Sequence, residues 1–264
     1  MTDSQTFSLE RFTKYARLAI SLNGRKMLTL LAAVFGAMTS IGLFTAYSLV
    51  KFNHLDATTL NFALSTRTTI YMYCWFSVII AFAGAFVIDN MDNKARRCSH
   101  LMVPASMAEK FTFGALGALV LAPIAAMVVL VAYTVVLYLV VNYWFLASSP
   151  ISMNMVSVLS IFDVPLENHI SVLFQQSVFV LGCAIWYKLS IVKTIVTELC
   201  IGFVFVIVMT ILASNGVIRD VNVSPETLTT IINTLMAVAT VAFWALSYYL
   251  YTRSQIVGKI LNRK

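Results

Sequence analysis

The residues able to do chemistry are few, and most fall where chemistry is expensive. Glu198 is the one Asp, Glu, Lys or Arg within six long apolar stretches. A carboxylate in that setting either marks a path for ions or protons or reaches back toward water. Lys193, about a turn earlier, offers a partner at the interface, so both roles stay open for Glu198. Gln175, Gln176 and Asn233 are the other intramembrane polar candidates, and their amides suit hydrogen bonds between helices better than substrate binding. Ser106 followed by Glu109 has the spacing of a capping box, in which hydroxyl and carboxylate each satisfy a backbone donor at a helix start. His54, His100 and His169 fall in three different connections, so no metal-ligand spacing exists. Cys74, Cys98, Cys183 and Cys200 form no CxxC pair. The three cysteines inside apolar stretches are expected to be small buried filler. No GxxxxGK[ST], GxSxG, HExxH or DFG set occurs, so no catalytic residue, metal or cofactor is expected.

These residues must be positioned by helices in a bilayer. Of 264 residues, 60% are hydrophobic and 11% charged, with a mean hydropathy of +0.86. A soluble domain carries about 25% charged residues, so an ordinary soluble enzyme and a disordered chain are both excluded. The apolar stretches are 27–50, 69–88, 112–141, 170–187, 194–213 and 228–251. Each reaches the roughly 18 to 20 residues that cross a hydrocarbon core about 30 Å thick. None alternates, and a backbone exposed to lipid must close its hydrogen bonds within the segment, so the fold is all-α with six transmembrane helices.

Orientation follows from the cations, which gather on cytoplasmic connections. Of 18 Lys and Arg, 15 lie before the first span, between the second and third, between the fourth and fifth, or after the sixth. Both termini are therefore expected in the cytoplasm. The net charge of +7 then faces lipid headgroups; no cationic run is interleaved with aromatics outside the spans, so nucleic acid is not expected as a partner. The chain divides into an N-terminal segment 1–26, a membrane domain 27–252 and a basic tail 253–264. On a helical wheel, Leu9, Phe12, Tyr15, Ala16, Ala19, Ile20 and Leu22 share one arc, opposite Glu10, Arg11, Lys14, Arg17 and Ser21. That is the pattern of an amphipathic helix lying in the interface; a plain basic anchor is the other reading. Asn23-Gly24 is expected to break this helix before the first span.

The capping box places the start of the third helix near Met107, and the helix is then long enough to tilt or bend, with a kink expected at Pro123. Gly36 with Ser40, Ala81 with Ala85, and Gly114 with Gly117 are candidates for close helix approach. The apolar connection 142–169 is expected to hold a short interfacial helix. Ser224-Pro225-Glu226 reads as cap, first-turn proline and first-turn acid of the sixth helix.

Leu101-Met-Val-Pro-Ala-Ser-Met-Ala-Glu-Lys-Phe111 resembles the LPAS-x-x-EKF signature of ABC-2 permease-like membrane proteins common in Bacteroidetes, and Trp186-Tyr-Lys-Leu-Ser-Ile-Val-Lys-Thr194 is similar to that family's turn between the fourth and fifth spans. The resemblance implies a homo- or heterodimeric permease subunit driven by a separate ABC ATPase docked on residues 89–111, with Arg96, Arg97, Ser106, Glu109 and Lys110 as candidate contacts. The short connection between the fifth and sixth spans departs from many exporters of that family. The competing expectation is a non-transporting structural, accessory or immunity-type membrane protein.

Overall fold

The computed structural model describes residues 7–52, 57–91, 102–146, 155–186, 189–214 and 224–261. Every regular element among them is helical, and six helices are long and apolar enough to cross a membrane. The protein is an all-α, multi-pass membrane protein.

Helix α1 runs from Leu9 to Phe52 without interruption. The expected break at Asn23-Gly24 does not occur. A glycine inside a helix costs only about 1 kcal/mol relative to alanine, less than nucleating a second helix would, and no neighbour crowds Gly24 into a turn. The amphipathic stretch is thus the front of the helix that carries the first span. Of its apolar arc, Tyr15 and Ala19 are buried, while Leu9, Ile20 and Leu22 are exposed.

Helix α2 (Ala57–Ala83) continues as a 3₁₀ helix, Gly84–Met91. The helix that makes the third crossing, entering the apolar stretch at Thr112, comprises α3 (Met107–Leu116), a π turn (Gly117–Leu121), α4 (Ala122–Val140) and a second π turn (Val141–Phe145). Pro123 stands second in α4, directly after the π turn. There the Ala122 N–H already donates five residues back, to the Gly117 carbonyl. The ladder has slipped by one residue before the proline arrives, which accommodates its missing donor. The connection that follows holds a 3₁₀ helix, Val158–Asp163, whose start is capped by Ser157. The last three helices are α5 (Leu166–Ile185), α6 (Ser190–Ser214) and α7 (Pro225–Leu261). Ser224 caps α7 through the Thr227 N–H at 3.2 Å, and α7 carries on into the basic tail.

Two compact units can be described separately: Thr13–Ile80 with Leu116–Pro165, and Met1–Phe12 with Ala81–Ala115 and Leu166–Lys264. In the first unit, α4 buries Ala126, Val129, Leu130, Tyr133, Thr134 and Leu137, the 3–4 spacing of one helical face. Ile124, Val128, Val131 and Leu139 on its other faces are exposed, as lipid contact requires. Gly42 admits the Tyr133 ring, into which a side chain at that position would collide. In the second unit, α5 packs against the 3₁₀ helix, α6 and α7. Gly84 lies on the Gln176 carbonyl, Gly114 on the Val87 backbone and Gly182 on the Thr194 side chain.

Small residues at the expected spacing are therefore an uneven guide. Ala81, Ala85 and Gly114 do sit at close approaches, but Gly36 and Gly117 face open space. Of the span cysteines, Cys183 is buried while Cys74 and Cys200 are exposed. The filler expectation fails for those two because a thiol is apolar enough to face lipid.

Candidate functional site

The most elaborate polar cluster among the described residues is built around Glu109. Its capping box forms as the spacing predicts. The Glu109 N–H donates to Ser106 Oγ at 3.2 Å, and the Ser106 N–H donates to Glu109 Oε2 at 2.8 Å. The other carboxylate oxygen serves a second helix. Oε1 accepts the Ser8 N–H at 2.7 Å and the Arg11 guanidinium at 3.3 Å. Ser8 is the cap of α1, since its carbonyl takes the first bond of that helix from the Phe12 N–H. One carboxylate thus caps two helix N-termini, and both dipoles place positive potential on it. Phe12, beside Arg11 in the chain, packs edge-on to Phe113, with ring centroids 6.4 Å apart.

The electrostatics follow from that donor set. Glu109 has 0% of its surface exposed. Burial alone would raise its pKa, but the N–H groups of Ser8 and Ser106 and the Arg11 charge outweigh it, and the carboxyl is held below the ordinary glutamate range. Lys110, 3% exposed, has its pKa lowered by burial, and the adjacent carboxylate partly offsets that. Both residues precede the apolar stretch that opens at Thr112.

A second polar contact lies between α5 and α6, where Gln175 Nε2 donates to Glu198 Oε2 at 2.7 Å. The expected pairing of Glu198 with Lys193 is not formed. Five residues apart, the two project from different faces of α6, and the Lys193 ammonium instead lies 5.3 Å from the centroid of the Trp186 ring. The chain reverses between these helices through Leu189, whose φ of 53° is in the left-handed region.

No protein-family model, curated protein or solved structure matches the chain. The assignment of a role rests on the residues themselves.

Ser106 and Glu109 come together with each other and with two residues that the sequence does not single out as site residues, Ser8 and Arg11. In the sequence Arg11 stands out only as a cation on the polar arc of the N-terminal amphipathic stretch. The available signal is Ser8 standing immediately before an amphipathic run, the position of an N-cap. Glu109 and Lys110, two of the expected contacts, are buried within the chain. Their side chains are consumed by capping and packing within the chain. Arg96 and Arg97 lie outside the described residues. Gln176 is fully buried on α5, and Asn233 is half-buried on α7. Among the described residues no group of His, Cys, Asp and Glu could hold a metal ion.

Proposed function

We propose that the protein is a membrane permease subunit of an ABC-type transporter, resident in the bacterial inner membrane and driven by a separate ATPase docked on the cytoplasmic 89–111 segment. The observation that carries this reading is the Glu109 cluster. A permease with no ATPase of its own must receive work mechanically, through a rigid element continuous with a transmembrane helix. The capped start of α3 leads into the third crossing, and the same carboxylate fixes the start of α1. Force applied at the connection would reach both helices. With Glu109 and Lys110 buried, contact with the ATPase falls to the residues ahead of them: Met102, 83% exposed, and the proposed Arg96 and Arg97. Deleting residues 96–100 is expected to abolish co-purification with the ATPase in mild detergent; a complex that survives the deletion rejects the docking role. Labelling of single cysteines placed at 94 and 188 is expected from the cytoplasmic side only, and labelling from opposite sides rejects the topology.

One observation favours a second reading, a non-transporting structural or accessory membrane protein. Hydroxyls inside the spans bond back to their own helices, as Ser40 does to the Gly36 carbonyl, Ser77 to Tyr73 and Thr240 to Met236. They leave little polar lining for a hydrophilic substrate. A stand-alone P-loop ATPase encoded beside this chain favours the permease, and its absence favours the scaffold.

A further inference from the structure

The Gln175–Glu198 pair plays no part in the docking or capping described above. Glu198 stands eight residues past Ser190, about 12 Å of helix, and Gln175 stands ten residues before Ile185, about 15 Å. With the turn between α5 and α6 at one edge of a core about 30 Å thick, both side chains lie within the apolar length of that core. A glutamate side chain is too short to reach water from there. Among the described residues its Oε2 has a single donor, the Gln175 amide. Its Oε1 is buried and has no hydrogen-bond partner among the described residues. A carboxylate bearing a full charge at this depth, with one oxygen unanswered, is not compensated by its surroundings.

Among the described residues, the ionisable groups nearby do not supply the missing charge. Lys193 lies over Trp186, and Cys200, two residues on, is exposed on another face of α6. On α5, His169 stands six residues before Gln175, about 9 Å along the helix, Glu167 lies further off, and Cys183 is eight residues beyond, about 12 Å. The 3₁₀ helix packed on α5 carries Asp89 as its one ionisable residue, and α7 carries none between Glu226 and Tyr248. The remaining way to relieve Oε1 is the smallest ligand there is.

We propose that Glu198, steadied by Gln175, is a proton-binding site within the membrane: its carboxylate takes up one proton on Oε1 and becomes the neutral acid. No other bond forms or breaks. The site stands whether or not the chain works with an ATPase, because it makes no use of the docking segment.

The test uses the full chain in phosphatidylcholine vesicles, treated with dicyclohexylcarbodiimide, an apolar reagent specific for protonated carboxyls. The acid proton passes to a reagent nitrogen, the carboxyl oxygen adds to the central carbon, and rearrangement leaves a stable N-acylurea that peptide mass spectrometry locates. At neutral pH the adduct is expected on Glu198 and not on Glu109, at least tenfold more abundant than with a water-soluble carbodiimide, and falling as the pH is raised. Absence of an adduct at Glu198 overturns the proposal. So does equal labelling by the water-soluble reagent, which would place the carboxyl in water. Every arm uses the wild-type chain, so no outcome depends on whether a variant folds.

Discussion

Glu109 and Glu198 are the same residue in opposite circumstances. Glu109 sits ahead of the third apolar stretch and answers three donors, two of them the N–H groups of helix caps. Glu198 sits inside the fifth and answers one, a side-chain amide. Burial is not what separates them, since Glu109 is the more deeply enclosed. The number and kind of donors decide whether an enclosed carboxylate keeps its charge and becomes a structural clamp. Two backbone donors and a guanidinium are fixed in place by the helices that own them, whereas one amide on a facing helix leaves half the carboxylate unanswered.

The sharpest test of this contrast is to make the same substitution at both sites. Glu109→Gln places an amide NH₂ at one of two oxygens that each accept a backbone N–H, so at either position a donor must face a donor. Loss of the charge-assisted bonds and exposure of an unpaired donor are expected to cost on the order of 3 kcal/mol, read as a lowered thermal midpoint in detergent. A midpoint unchanged from wild type would mean that the cluster does not hold α1 to α3. The effect also carries a pH signature. The folded-state pKa of Glu109 lies below its unfolded value, so its stabilisation is fully present above the unfolded value, near 4.3, and disappears as the pH falls through the lower folded value. The gap between wild type and Glu109→Gln is expected to hold steady from neutral pH down to about 5 and to close below about 4. A gap that instead widens on acidification rejects the ionised clamp.

The two sites also differ in how far the sequence reveals them. Half of the Glu109 cluster is readable, because a capping box joins residues three apart and its signal is local. The other half joins Glu109 to Ser8 and Arg11, about a hundred positions away, and no local pattern carries such a contact. The depth of the Glu198 site is hidden for a related reason. Counting from the first apolar residue, Thr194, puts Glu198 one turn inside, whereas α6 begins at Ser190 and the partner stands mid-way along α5. The six crossings are legible because lipid excludes charge from every residue of a span at once. The persistence of α1 through Asn23-Gly24 is not, because breaker residues report a local preference that a long helix overrides. Glycine spacing fails at Gly36 and succeeds at Gly114 because close approach depends on what the other helix presents.

Within the clamp, a smaller effect separates its charge from its backbone donors. The Arg11 side chain is 33% exposed and sits further from Oε1 than the Ser8 N–H does. Arg11→Ala is expected to cost no more than about 1 kcal/mol, since solvent screens a partly exposed pair, and the loss should shrink in high salt. If Arg11→Ala proves as damaging as Glu109→Gln, the guanidinium and not the two caps is what retains the charge, and the contrast with Glu198 has a different cause.

The smallest change is expected at Glu198 itself. Gln175 needs only an acceptor, which the carbonyl oxygen of a glutamine at 198 supplies, and the neutral acid and the amide are nearly the same size. Glu198→Gln should therefore shift the thermal midpoint by the equivalent of no more than about 0.5 kcal/mol, in contrast to the same change at Glu109. Had the carboxylate been held charged by an ion partner, its removal would strand that partner inside the membrane, and the penalty would approach the one at Glu109. The ratio of the two glutamine penalties measures directly how unequally the chain treats its two enclosed acids.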